Sequence, residues 1–160
     1  MKKGMTILEV LVASIMLAIM VASIFPIIGW LITRSKEKQF DGQASTVMTA
    51  GIEVTYNAFL GDWEAFSAGS AGSPDVYHPA VDVSTGAWTL DDGEELVEAR
   101  YTRRIEVVEV CRQESTGERV TGACGDGSAI DTNSKQVTSV VSWTERGSDK
   151  EIRADLLLTR

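Results

Sequence analysis

Twenty-three consecutive residues, Val10 to Ile32, contain no Asp, Glu, Lys or Arg. A helix of that length rises roughly 34 Å, enough to cross a bilayer core of about 30 Å. From Met5 to Ile32, 22 of 28 residues are apolar, and Lys2, Lys3 and Glu9 are the only charges before Thr33. The remaining 128 residues carry 35 charges, an ordinary density for a soluble domain. The chain's zero mean hydropathy is therefore the sum of two opposite segments. A net charge of −8 has the wrong sign for nucleic-acid binding through overall charge. One His and two Cys leave little material for zinc sites or His-based catalysis.

A basic start followed by an apolar run also describes a secretory signal peptide. This run is longer than a signal core, and Pro26, Gly29 and Trp30 lie inside it. No small-residue cleavage pattern closes it. A plain single-pass anchor is the next alternative, with Lys2-Lys3 favouring a cytoplasmic N-terminus. Glu9 argues for more than an anchor. A carboxylate in a membrane helix costs roughly 2.5–3.5 kcal/mol at the bilayer centre and less near its edge. Such a residue implies a positively charged partner at the same depth. A free amine on Met5, created by cleavage after Gly4, would supply one.

The segment Lys2-Lys3-Gly4-Met5-Thr6-Ile7-Leu8-Glu9-Val10-Leu11-Val12-Ala13 resembles the type IV prepilin signature. That signature is a short basic leader ending in Gly, an apolar residue, Thr or Ser, two apolar residues, Glu, and a long apolar helix. The match runs without a gap from Lys2 to about Ile32. The resemblance implies cleavage between Gly4 and Met5 by a membrane peptidase, and N-methylation of Met5 by the same enzyme. It implies pairing of Glu9 with a neighbouring subunit's N-terminal amine during filament assembly. Pro26, twenty-second after the cut, falls where many members carry a helix-distorting proline. Met5 departs from the usual Phe but keeps the apolar, unbranched character. Partners implied by the resemblance are other pilin or pseudopilin subunits, the prepilin peptidase/methyltransferase and an inner-membrane assembly platform. The implied location is a single-pass cytoplasmic membrane protein with its C-terminal domain outside, then an extracytoplasmic filament.

After Ile32 the helical pattern continues with a different character. Phe40, Ala44, Val47, Met48, Ile52, Tyr56 and Phe59 recur at helical spacing among polar residues. This predicts an amphipathic helix over 33–60, ended by Gly61. Gly61 to Glu98 reads as a long acidic connection, with a short strand at Thr85–Trp88. No Lys or Arg occurs from Gln39 through Ala99, while eleven acids do. Strands are expected over Ala99–Gln113, Gln136–Glu145 and Glu151–Thr159, with a turn at Arg146–Asp149. The pattern Val137 to Gly147, followed by a Leu-rich last strand, resembles the C-terminal hairpin of minor pilins and of I-type minor pseudopilins of type II secretion.

Cys111 and Cys124 lie 13 apart. On the extracytoplasmic side a bridge between them would persist and stabilise by about 2–4 kcal/mol; two reduced thiols are the alternative. Asp126, Ser128, Asp131 and Asn133 cluster oxygen donors, as do Asp91, Asp92, Glu94 and Glu95. Neither spacing matches a calcium loop, and turns favour these residues anyway. His78 has no apparent partner. Trp63 and Trp88 suit core or subunit contacts. Arg100, Arg103 and Arg104 form a basic cluster expected to pair with nearby acids and not with DNA. No catalytic constellation, metal-ligand cluster or cofactor motif stands out, so no enzyme activity and no cofactor are expected.

The expected fold is α+β: a long N-terminal helix, transmembrane in its first half and amphipathic in its second, on a small antiparallel sheet, as in type IV pilins. Its divisions are a leader (1–4), a membrane and filament-core helix (5–32), the amphipathic helix (33–60), an acidic loop region (61–98) and a sheet region (99–160). The function expected from the resemblance is that of a structural subunit, a minor pilin or pseudopilin. A membrane-anchored binding module that does not polymerise is the rival.

Overall fold

The computed structural model describes residues 7–64, 66–120 and 122–160. It is α+β: one helix, α1 (Ile7–Gly61), and a seven-stranded antiparallel sheet. The chain divides into two compact units, Met1–Gly42 and Gln43–Arg160. In the first, α1 continues unbroken past Pro26, and every side chain from Ile7 to Ile32 is exposed.

In the second unit the sheet contains β1 (Asp75–Val81), β2 (Trp88–Asp92), β3 (Glu95–Val97), β4 (Tyr101–Gln113), β5 (Arg119–Val120), β6 (Ser128–Glu145) and β7 (Ser148–Thr159). The path through it is β2-β1-β4-β6-β7. One side of β4 pairs with β6 from Thr102 to Gln113, with one register shift. The other side is tiled by short pieces: β3 opposite Tyr101–Arg103, β1 opposite Ile105–Val107, Gly69 beside Val108, and β5 opposite Cys111–Arg112. Gly69 fits this gap because it has no side chain. A Cβ there would lie 2.1 Å from the Ser73 carbonyl oxygen. Its amide donates to Val107 and its carbonyl accepts from Glu109.

The region 61–98 is therefore not one long connection. It contributes β1, β2 and β3, and the expected strand at Thr85–Trp88 begins only at Trp88. Asp82, Ser84, Thr85 and Gly86 instead form the β1–β2 turn, in which Ser84 donates twice to the Asp82 carboxylate. These bonds hold the Asp82 carboxyl at about 2. The β6–β7 turn is also tighter than expected. Glu145 pairs with Ser148, leaving Arg146-Gly147 as a two-residue loop with φ of 52° and 79°, the geometry of a type I′ hairpin. β6 starts eight residues before the expected Gln136. Between Glu109 and Val110 the register slips from Lys135 to Asp131, a bulge that breaks the alternation in both strands.

The second part of α1 packs on the inner sheet face. Ala44, Gly51, Thr55, Ala58 and Phe59 are buried, at the 3–4-residue spacing of one helix face. Tyr56, expected on this stripe, is exposed; it follows Thr55 by one residue and so points about 100° away. Two apolar clusters result. Ala44, Tyr101, Val141 and Trp143 form one, and Ala58, Phe59, Phe66, Tyr77, Leu90, Ile105, Val107, Val137 and Leu158 form the larger. Between them α1 approaches the sheet closely. Arg103 Nη1 donates to the Val47 carbonyl at 3.1 Å, and Ser139 Oγ to the Met48 carbonyl at 3.1 Å. A Cβ on Gly51 would sit 2.9 Å from Ser139 Oγ and 3.2 Å from Ile105 Cδ1.

Two helical glycines thus behave oppositely. Gly42 has nothing within 4 Å of an added Cβ, so Gly42→Ala should stabilise the fold by about 0.5–1 kcal/mol through helix propensity. Gly51→Ala should destabilise it by about 1–3 kcal/mol through overpacking. Urea midpoints of the full chain in detergent should move in opposite directions.

Candidate functional site

Two residues expected to act in assembly, Glu9 and Pro26, lie on the exposed part of α1. Gly4 and Met5, the expected cleavage pair, lie outside the described residues. Glu9 occupies the first turn described. It is exposed and shares a shallow groove with Leu8, Val12 and Ala13. The hydroxyls of Ser14 and Ser23 return to the carbonyls of Val10 and Ile19, each at 2.8 Å. That leaves Glu9 as the one ionisable side chain from Ile7 through Ile32. Pro26 lies inside the helix without terminating it.

In the second unit the sequence-named residues are dispersed among structural contacts. Cys111 and Cys124 are joined by a disulfide, with Cα atoms 5.4 Å apart. Arg103 pairs with Glu95, and Arg104 with Glu106 and Glu151. The Arg100 guanidinium lies 6.0 Å from the Tyr101 ring centroid. Of the proposed oxygen donors, Asp131 is engaged by Arg112 at 2.6 Å, and Ser128 Oγ bonds the Gly125 backbone. Asp91 and Asp92 are exposed neighbours on β2, while Glu95 is held by Arg103. Among the described residues no group of three or more His, Cys, Asp or Glu side chains could hold a metal. His78 is half-buried on β1 opposite Asp91, and its Nδ1 is buried without a hydrogen-bond partner. Trp88 is half exposed at the start of β2, whereas Trp63 packs against the larger apolar cluster.

Sequence reasoning missed Lys135. Its Nζ donates to the carbonyls of Trp63 and Phe66, at 2.8 and 2.6 Å. It also lies 5.2 and 4.9 Å from the ring centroids of Phe59 and Trp63, within cation–π range. Burial pulls the ammonium below its ordinary value, against the opposing pull of Glu64 and Asp62. Lys135 fastens the segment after α1 onto β6, where the chain must turn back towards β1. A lysine inside a polar stretch gives no sequence signal for this role. Lys135→Met keeps most of the stem but loses both charged hydrogen bonds. It should lower stability by about 2–4 kcal/mol, read as a shift of the urea midpoint at unchanged slope.

The outer sheet face is a lattice of opposite charges. Arg104 and Arg153 flank Val140 in register, and both pair with Glu106 and Glu151. Val140 is fully buried although it faces outward. Long basic stems cover apolar surface in this way. Arg153 holds the Glu151 carboxyl below its usual range, Arg112 does the same for Asp131, and Lys150 for Glu145. A carboxyl with a lowered folded-state pKa binds fewer protons than its unfolded counterpart. Its stabilisation is complete above the unfolded value near 4 and is lost as pH falls through the folded value. Thermal unfolding of the full chain should thus occur at lower temperature at pH 3 than at pH 5. Arg153→Gln should narrow that difference.

Compared with known proteins, the chain matches no family model, no curated protein and no solved structure.

Proposed function

We propose that this chain is a structural subunit of a type IV pilus-like filament, a minor pilin or minor pseudopilin. The observation that carries the reading is Gly4-Met5 followed by Glu9 at the head of a 23-residue uncharged segment. The exposure of the whole segment supports it, since a helix apolar on all sides must bury itself in lipid or against other helices. One helix is long and apolar enough to span a membrane, which supports a single-pass anchor. An antiparallel sheet seated on the same helix is compatible with a pilin-like fold.

In this reading the peptidase removes Lys2 and Lys3 with the leader and methylates the Met5 amine. Glu9 of an incoming subunit then pairs with the Met5 amine of a neighbour. Each charge would be costly in an apolar filament core; the pair lowers that cost and fixes axial register. Pro26 lacks the amide that would bond one turn back, so it marks where the helix yields as subunits pack. The resemblance of the β6–β7 hairpin to those of I-type minor pseudopilins favours type II secretion as an alternative setting.

Mass spectrometry of the protein from its own cells tests the reading. The expected mass begins at a methylated Met5; an intact Met1 in cells that process other prepilins overturns it. Glu9→Ala should be cleaved normally, while its incorporation into filaments should fall at least about tenfold.

A further inference from the structure

We propose that the stripe Trp30–Arg34–Lys38 on α1 is a binding surface for anionic phospholipid headgroups. The proposal rests on the reading of Val10–Ile32 as bilayer-spanning. Residues spaced by four lie on one helix face, and these three are exposed. The Arg34 guanidinium stands 4.9 Å from the Trp30 ring centroid. Leu31, Ile32, Ser35 and Lys36 complete a shallow groove beside them.

Depth along the helix selects the ligand. Trp30 lies within one turn of the end of the uncharged run, at the hydrocarbon boundary favoured by Trp. Arg34 rises roughly 3 Å beyond Ile32, and Lys38 roughly 9 Å. The headgroup layer occupies about 5–8 Å on each side of the hydrocarbon, and a lysine stem can reach back into it. Stacking on Trp30 holds the guanidinium in place, and its edge carries the paired N–H donors that suit a phosphate. Arg34, Lys36 and Lys38 are the bases at this depth, against one acid, Glu37. Glu37 is half-buried and has an interaction of its own; its bearing is about 60° from Arg34 and about 100° from Lys38. Asp41 rises roughly 13 Å past Ile32, out in water. Lys36 also lines the groove and adds its charge to the same surface. A surface that is apolar below, aromatic at the boundary and basic above is complementary to an anionic leaflet. A purely zwitterionic leaflet offers the phosphate without the net attraction.

The test uses the full chain in nanodiscs of phosphatidylcholine alone, or of equal parts phosphatidylcholine and phosphatidylglycerol. Lipids retained after transfer to detergent are counted by native mass spectrometry. Wild type should retain phosphatidylglycerol over phosphatidylcholine by about tenfold. Arg34→Gln/Lys38→Gln should lose most of that preference with unchanged circular dichroism. An unchanged preference in the double variant overturns the proposal, as does a preference abolished by Lys2→Gln/Lys3→Gln instead. Chemical cross-linking in phosphatidylcholine discs covers the remaining occupant. A dimer seen in wild type and lost in Arg34→Gln/Lys38→Gln assigns the stripe to a second copy and overturns the lipid assignment. Release of the wild-type chain by alkaline wash refutes the spanning reading and the proposal with it. Retention of the chain without lipid preference refutes the proposal alone.

Discussion

The close seat of α1 on the sheet at Gly51 sets the rest of the second unit. Packing is tight there because the helix has no side chain at that position, and Ser139 Oγ and Ile105 Cδ1 occupy the space one would need. At this contact two sheet side chains, Arg103 and Ser139, donate to helix carbonyls. The helix is thereby fixed in translation as well as in distance. Apolar packing alone specifies a face; hydrogen bonds to named carbonyls specify a position along it. The two apolar clusters lie to either side of this polar waist, and each is closed by aromatic contacts. Tyr101 and Trp143 meet edge-on in one, and Trp63, Phe59, Phe66 and Tyr77 form a chain in the other.

The fold class was legible because two periodicities are strong. The apolar run needs no pattern beyond its length. The strands ending at Gln113, Glu145 and Thr159 carry enough Val, Ile and Leu to stand out. The three strands between Asp75 and Val97 were hidden for physical reasons. They are short, they lie at or near the sheet's margin, and β2 and β3 carry acids that read as loop. The bulge at Glu109–Val110 hid the alternation within β4 but not the strand itself, since Val110 and Cys111 are both buried in succession. Gly51 and Thr55 escaped the helical stripe because neither is apolar in the usual sense; one is selected for absence of volume. Of the candidate site, Glu9 stands out by its position in an uncharged run and Pro26 through the resemblance. Lys135 was not, because its partners are backbone carbonyls, which have no sequence signature.

The charges are sorted as strictly as the apolar residues. Residues 61–160 carry 19 acids against ten bases, yet the bases on the sheet are mostly committed to ion pairs. Exposed pairs contribute little individually. The lattice around Val140 differs in that it shields an apolar residue from water as well as pairing charge. The same arrangement gives the sheet's outer face little uncompensated positive charge.

The bond from Ser139 to Met48 spans 91 residues of chain. Until β6 has been made, the packed face of α1 is only partly covered. Contacts so remote in sequence are slow to form, because loop closure must come before any gain. In a chain made from its N-terminus, the apolar segment is complete long before the sheet that shelters the other half of the same helix. A chain held in a membrane by that segment would therefore be anchored first and folded afterwards. For that interval the amphipathic half of its helix is a surface that other proteins can reach.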